Sequence, residues 1–235
     1  MIIDEIFEGE LRKMIVHVSR NGHVYAMDRE TGDFLWAGEY TRVNWALRDE
    51  SGKPVLKEEL YNPASTVVFP GIFGGKNWPP ASYSPDTHML YIPTTEWGTT
   101  FIRREGEGRP GTMYLGGIPR FEPSGTGYLV AFNMLTGEIE WQEETPGNFN
   151  WAGTLTTGGG LVFSGAADGY LRAYNDETGE VLWEFQTGSG LYAPPTSFTI
   201  DGVQYIGIAS GTRNPVTRAG VATGIAPGNY ILFSL

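Results

Sequence analysis

One eleven-residue phrase occurs three times in this chain and constrains its fold more than any other feature. The copies begin at Ala26, Ala131 and Ala173, and each reads A-x-[D/N]-x-x-T-G-x-x-x-W. The second and third copies begin 42 residues apart, which suits one four-stranded propeller blade of about 40–45 residues. The first two begin 105 residues apart, which leaves room for a further blade with a degenerate phrase and an inserted loop. The repeat therefore predicts an array of small β-units.

The residue types within the phrase predict a tight hairpin. Apolar residues alternate before it, at 23–26 and 170–173, which is strand spacing with one face buried. The Asp or Asn can accept bonds from its own backbone, and the glycine supplies the positive φ of the turn. The next strand then presents a tryptophan that can pack between neighbouring sheets. An ordinary hairpin with a favoured turn is the alternative for one copy, but three copies favour a repeat.

The composition agrees with an all-β protein. The 235 residues include 33 Gly and 15 Pro, and 13% of them are aromatic, as expected for many short strands joined by turns. The net charge of −11 and the absence of a basic stripe argue against nucleic-acid binding. No apolar run is long enough for a membrane span, and the N-terminus has no signal pattern. The absence of cysteine excludes disulfides and thiolate metal sites in this chain.

The pattern along the chain predicts one incomplete β-propeller domain, residues 1–235, of about three to four four-stranded blades. These blades are expected at roughly 10–45, 67–145, 150–187 and 195–235. Residues 98–126 are rich in Gly and Arg without periodicity, which predicts a long insertion on one face. The fourth blade shows no outer strand, so the array has unpaired edges.

Several segments resemble one family of enzymes. They are the stretch from Asn150 to Tyr174, Thr178–Trp183, Ser19-Arg20-Asn21-Gly22, and Gly75-Lys76-Asn77-Trp78. Together they look like the C-terminal part of the quinoprotein alcohol dehydrogenases of the methanol and ethanol type, which use pyrroloquinoline quinone (PQQ). The resemblance implies an eight-bladed propeller in the complete family protein, and the repeated phrase corresponds to that family's tryptophan docking motif.

The resemblance also implies three cofactor-binding residues. Arg20 corresponds to the cation beside the quinone carbonyls and would be the catalytic residue, since a guanidinium stabilises charge that develops on the quinone oxygens. Asn77 corresponds to an amide that reaches a PQQ carbonyl or carboxylate. Trp151 corresponds to a tryptophan at the mouth of the pocket. The alternatives are that Arg20 is a surface residue closing a turn, that Asn77 is a turn residue, and that Trp151 is an aromatic residue that only packs in the core.

Other parts of the family's site are not found in this sequence. The ligands of the calcium or lanthanide ion, and the catalytic Asp, lie upstream in the family, so no metal site is expected here. His17, His23 and His88 lack metal-ligand spacing. The chain alone is therefore expected to be inactive.

The family's activity is oxidation of a small primary alcohol to an aldehyde, with electrons passed to a cytochrome c or a quinone in the periplasm. Read alone, the N-terminus would indicate the cytoplasm, and the periplasmic expectation comes from the resemblance. A non-catalytic propeller scaffold of the outer-membrane assembly type is the alternative, and Arg20, Asn77 and Trp151 occurring together favour the enzyme.

Overall fold

A computed structural model describes residues 1–7, 9–58, 66–103, 106, 108–114, 116–211 and 228–234 of the protein. In these ranges the regular structure is β-strand. The strands in chain order are β1 (Ile2–Phe7), β2 (Glu10–Val18), β3 (His23–Asp28), β4 (Phe34–Glu39), β5 (Ala46–Arg48), β6 (Pro54–Leu56), β7 (Val67–Val68), β8 (Ser82–Ser84), β9 (Met89–Glu96), β10 (Thr99–Arg103), β11 (Gly117–Phe121), β12 (Thr126–Asn133), β13 (Ile139–Thr145), β14 (Thr154–Thr157), β15 (Leu161–Gly165), β16 (Tyr170–Asn175), β17 (Val181–Gln186), β18 (Thr196–Ile200), β19 (Val203–Ser210) and β20 (Asn229–Ser234).

The chain forms two compact units. The first contains Met1–Gly75 and Thr95–Gly125, and the second contains Lys76–Thr94 and Thr126–Leu235. The first unit holds a four-stranded antiparallel sheet of β1 to β4 in sequence order, which we call the first sheet. It also holds the β5–β6 hairpin and a small sheet ordered β11-β10-β7.

The second unit contains three sheets. The second sheet is ordered β13-β12-β9-β8, the third β14-β15-β16-β17 and the fourth β18-β19-β20. Successive residues of β15 point to opposite faces, so Val162 packs in a cluster with residues of the second sheet while Phe163 packs with residues of the fourth. Burying each such side chain contributes about 1.5–3 kcal/mol. The third sheet is therefore apolar on both faces because it lies between two neighbours.

The repeated phrase folds in the same way in all three copies. Its alanine stands opposite its tryptophan across the hairpin, and the register shifts by one residue directly after that alanine. The side-chain oxygen of Asp28, Asn133 or Asn175 accepts two backbone N–H groups of the turn. The turn glycines have φ between 73° and 80°, where a side chain is strained. The hairpin prediction is confirmed.

The predicted all-β fold class is confirmed, and the strands add detail that the sequence pattern lacked. A strand at Ile2–Phe7 precedes the predicted start of the first blade at residue 10. The insertion at 98–126 contains β10 and β11, which pair with each other. The predicted fourth blade runs through 212–227 and 235, which lie outside the described residues.

Candidate functional site

Arg20 lies just after the end of β2, in the first unit. Its Nη2 donates to the carbonyl of Ile72 at 2.6 Å, which fixes the direction of the exposed guanidinium. Gly22, two residues later, has a φ of 96°, and a Cβ there would lie 2.5 Å from Val43 Cγ2. The R-N-G sequence therefore needs glycine at its third position, because the turn that presents Arg20 is tightly packed.

Arg20 lines an open depression of about 480 Å³ on the surface of the first unit, which we call the Arg20 cavity. This volume falls in the range of about 300–1,000 Å³ that is common for small-molecule sites. The loop that carries Ile72 forms one side of the cavity. The lining residues are Arg20, Asn21, Trp45, Val68, Pro70, Gly71, Ile72 and Gly74.

The cavity has the chemistry that a flat, acidic group such as PQQ requires. Arg20 supplies a positive charge and N–H donors for carbonyl or carboxylate oxygens. The walls are an indole, from Trp45, and the aliphatic side chains of Val68, Pro70 and Ile72. A planar ring system can lie against such walls while its oxygens face the guanidinium. The residues that line the Arg20 cavity are therefore chemically compatible with the cofactor.

His23 lies behind the wall of this cavity and is fully buried. Its backbone N–H donates to Asn21 Oδ1 at 3.1 Å, and its ring lies 5.5 Å from that of Trp45 in an edge-on arrangement. Burial, together with the nearby Arg48 charge, lowers the pKa of His23 to about 4, so the imidazole is neutral near pH 7. His23 therefore adds no charge to the cavity.

Asn77 and Trp151 both belong to the second unit. The side-chain oxygen of Asn77 accepts the N–H of Trp78 at 2.9 Å, and the Trp151 ring lies 4.9 Å from that of Phe149. Their segments adjoin, since Thr154 N–H donates to the carbonyl of Pro80 at 3.1 Å. The structure thus brings the neighbourhoods of these two predicted residues together. Arg20 belongs to the first unit.

Sequence reasoning missed Trp45. Three of the seven tryptophans belong to the repeated phrase, and Trp151 was singled out by resemblance. Trp45 belongs to a polar stretch without periodicity, so nothing marked it as a wall of the same cavity as Arg20. The one feature of the sequence that could have indicated Trp45 is that it lies outside the repeated phrase, so packing between blades does not explain why a tryptophan stands there.

Within the described ranges, no group of three or more His, Asp or Glu side chains is placed to hold a metal ion. The same ranges contain no helix with the length and apolarity to cross a membrane.

Comparisons with known proteins agree with the resemblance. Residues 109–206 match the PQQ family described as "Glucose/ethanol/alcohol dehydrogenase, beta-propeller domain". A quinoprotein ethanol dehydrogenase of Pseudomonas putida is 38% identical over 164 residues, which are 62% of this chain and 26% of that protein. A lanthanide-dependent methanol dehydrogenase of Methylorubrum extorquens is 30% identical over 173 residues, which are 65% of this chain and 28% of that protein.

A solved structure extends the likeness to the whole chain. The quinohemoprotein alcohol dehydrogenase of Comamonas testosteroni superposes with a TM-score of 0.87 and 30% identity. The match covers 100% of this chain and 37% of that one. The chain thus spans between a quarter and two fifths of the length of these proteins.

Proposed function

We propose that this chain forms the C-terminal sector of a PQQ-dependent alcohol dehydrogenase, because residues 109–206 match the PQQ β-propeller family and the chain is similar to quinoprotein dehydrogenases. The reaction is oxidation of a primary alcohol to an aldehyde. The observation that carries the proposal is the cavity in which Arg20 faces an aromatic and aliphatic wall, found in a chain whose relatives are quinoprotein dehydrogenases. The relatives reported above are dehydrogenases, so they support a non-catalytic propeller scaffold less than they support an enzyme.

When bound, PQQ accepts the two electrons that the alcohol loses as it becomes an aldehyde. Arg20 would hold the quinone oxygens of the cofactor, and its guanidinium would stabilise negative charge on them. The hydrogen bond from Arg20 Nη2 to Ile72 keeps the group in position before reaction, so less reorganisation is needed.

Asn77 and Trp151, which belong to the second unit, are the other two residues that we propose contact PQQ. The Asn77 amide donates to a carbonyl or carboxylate oxygen of the cofactor. Trp151 provides a flat wall whose position is supported by Phe149. The calcium or lanthanide ion and the catalytic base belong to other sectors of the complete protein, so this chain binds one side of PQQ and is inactive alone. A cytochrome c or quinone accepts the electrons, and the protein works in the periplasm.

The proposal is tested by titrating the 235-residue chain with PQQ in equilibrium dialysis. We expect saturable binding that weakens about ten-fold in Arg20→Met, because a charge-assisted hydrogen bond contributes about 1.5–3 kcal/mol. Arg120→Met is the matched control, since Arg120 is exposed and does not line the cavity.

Reconstitution tests the inactivity of the single sector. The chain is mixed with the N-terminal sector of the Pseudomonas putida relative and PQQ, and dye reduction by ethanol is followed. We expect turnover in the mixture and none with the chain alone. If PQQ binds neither the chain nor the mixture, the assignment to a quinone enzyme is overturned.

A further inference from the structure

The group that accepts the Arg20 guanidinium, the Ile72 carbonyl, belongs to a short turn. The Gly74 N–H donates to the Gly71 carbonyl at 2.9 Å, which closes a β-turn with Ile72 at its second position. The Ile72 carbonyl is part of the central peptide of this turn, so its direction depends on how the turn is held. The Gly75 N–H then donates to the backbone carbonyl of Arg20 at 2.9 Å. This loop therefore contacts both the backbone and the side chain of Arg20.

The turn is held in place by the start of β10. The Gly71 N–H donates to the carbonyl of Trp97 at 2.9 Å, and the Ile72 N–H donates to Thr99 Oγ1 at 3.1 Å. Thr99 is fully buried, and its branching at Cβ restricts the rotation of the side chain. A buried hydroxyl with few rotamers gives the turn a rigid anchor. The anchor acts on Ile72, the same residue whose carbonyl accepts the guanidinium.

The backbone of the turn also packs directly on the Thr99 side chain. A Cβ on Gly71 would collide with the Thr99 hydroxyl and with the Trp97 carbonyl. No side chain separates the turn from Thr99 at this point, and a close-packed contact transmits a change in either partner. A substitution at Thr99 therefore acts on the turn directly.

We propose that Thr99 is a positioning residue for PQQ binding, whose hydroxyl holds the turn so that the Ile72 carbonyl directs the Arg20 guanidinium. The inference rests on the proposed function and adds a residue that does not line the Arg20 cavity. A guanidinium carries five N–H donors, so the bond to Ile72 orients the group and leaves donors for anionic oxygens. A cation whose direction is fixed beforehand loses less conformational entropy when a ligand binds, which favours affinity.

Equilibrium dialysis with PQQ measures the affinity of the 235-residue chain and of its variants. Thr99→Val keeps the branched shape and removes the hydroxyl, whereas Thr99→Ser keeps the hydroxyl and removes a methyl group. A double variant combines Arg20→Met with Thr99→Val and is compared with Arg20→Met alone. Thr187→Val is the matched control, because Thr187 is also buried and its hydroxyl donates to the Gly169 carbonyl at 2.9 Å, but it belongs to the second unit. Circular dichroism checks that each variant is folded.

We expect Thr99→Val to weaken PQQ binding about three-fold, as loss of one neutral hydrogen bond predicts. Thr99→Ser and Thr187→Val should bind PQQ as the wild type does. In the Arg20→Met background, Thr99→Val should have no further effect, because the group that Thr99 positions is gone. A merely structural role would instead weaken binding in both backgrounds alike.

Three results overturn this inference and leave the proposed function intact. They are an unchanged affinity in folded Thr99→Val, an equal loss in Thr99→Ser, and a further loss of about three-fold in the double variant. If the wild-type chain binds PQQ only in the mixture with the N-terminal sector, the same variants are titrated in that mixture. If it binds PQQ in neither form, the proposed function and this inference both fall.

Hydrogen exchange of the unliganded chain tests the anchor without the cofactor. The Ile72 and Gly71 N–H groups should both be protected from exchange in the wild type, because both donate to buried acceptors. Thr99→Val should speed exchange about ten-fold at Ile72 and less at Gly71. Rapid exchange of the Ile72 N–H in the wild-type chain contradicts the anchor even if Thr99→Val does not fold.

Discussion

Trp141 and Trp183 occupy the same place in two copies of one phrase, yet their surroundings differ. Trp141 lies against the turn of the third sheet, where its Nε1 donates to the carbonyl of Asp176 at 3.0 Å. A Cβ on Gly179 would lie 2.8 Å from its ring. Trp183 is 39% exposed, and its ring meets Phe233 of the fourth sheet edge-on at 5.1 Å.

The difference shows that docking depends on the neighbouring sheet as much as on the phrase. Trp141 meets a hairpin turn, because the third sheet has its own phrase between β16 and β17. The fourth sheet has three strands among the described residues and no copy of the phrase. Trp183 therefore packs on a strand instead of a glycine turn. Two copies of the same phrase pack differently because the partner surface is supplied from elsewhere in the chain.

Truncating the two tryptophans should give the largest contrast. Trp141→Ala is expected to lower the free energy of unfolding by about 2–4 kcal/mol, somewhat less than for a fully buried aromatic residue, because Trp141 is half-buried and its loss also leaves the Asp176 carbonyl with one donor fewer. Trp183→Ala should cost about 1–2 kcal/mol, since much of its ring already contacts water. Urea unfolding followed by circular dichroism measures both. Equal losses would show that the two interfaces are energetically alike.

Alanine at the turn glycines should give a smaller contrast. Gly179 and Gly137 have nearly equal φ values, 76° and 73°, so both substitutions cost about 1 kcal/mol of backbone strain. The Cβ at 179 also meets the Trp141 ring, whereas the space around 137 is open. Gly179→Ala should therefore destabilise by about 1–2 kcal/mol more than Gly137→Ala. A thermal melt of each variant tests this, and matched melting temperatures would contradict the contact.

The smallest effect concerns the pH dependence of the Trp141 interface. Asp176 is buried, and burial raises the pKa of its carboxyl group. Its ionised form therefore costs stability at neutral pH, and that cost declines as the pH falls through the folded-state pKa and is gone below the pKa of the unfolded chain. Asp176→Asn should be more stable than the wild type at pH 7 by less than about 1 kcal/mol, and the difference should vanish near pH 4.

The control for this titration is Glu138→Gln, an exposed carboxylate in the turn of the second copy. A constant difference between Asp176→Asn and the wild type from pH 4 to 7 would show that the Asp176 charge does not act on this interface.

The fold could be predicted where local chemistry decides it. The Asp28, Asn133 and Asn175 turns followed from residue types, because an Asx side chain and a following glycine close a hairpin within a few residues. The strands β10 and β11 could not be predicted, since they pair with each other across a gap of irregular sequence. Their pairing depends on residues distant in the chain, which periodicity does not report.

The sequence by itself determined the repeating hairpin and, through the family resemblance, pointed to Arg20, Asn77 and Trp151 as cofactor-binding residues. Tertiary structure alone decided which tryptophan is covered, and placed Trp45 beside Arg20. The physical reason is the separation in sequence between the residues that interact. Turns and alternation are properties of neighbouring residues, whereas a cavity wall exists only after hydrogen bonds such as that from Trp45 to Asn21 have joined segments far apart in sequence.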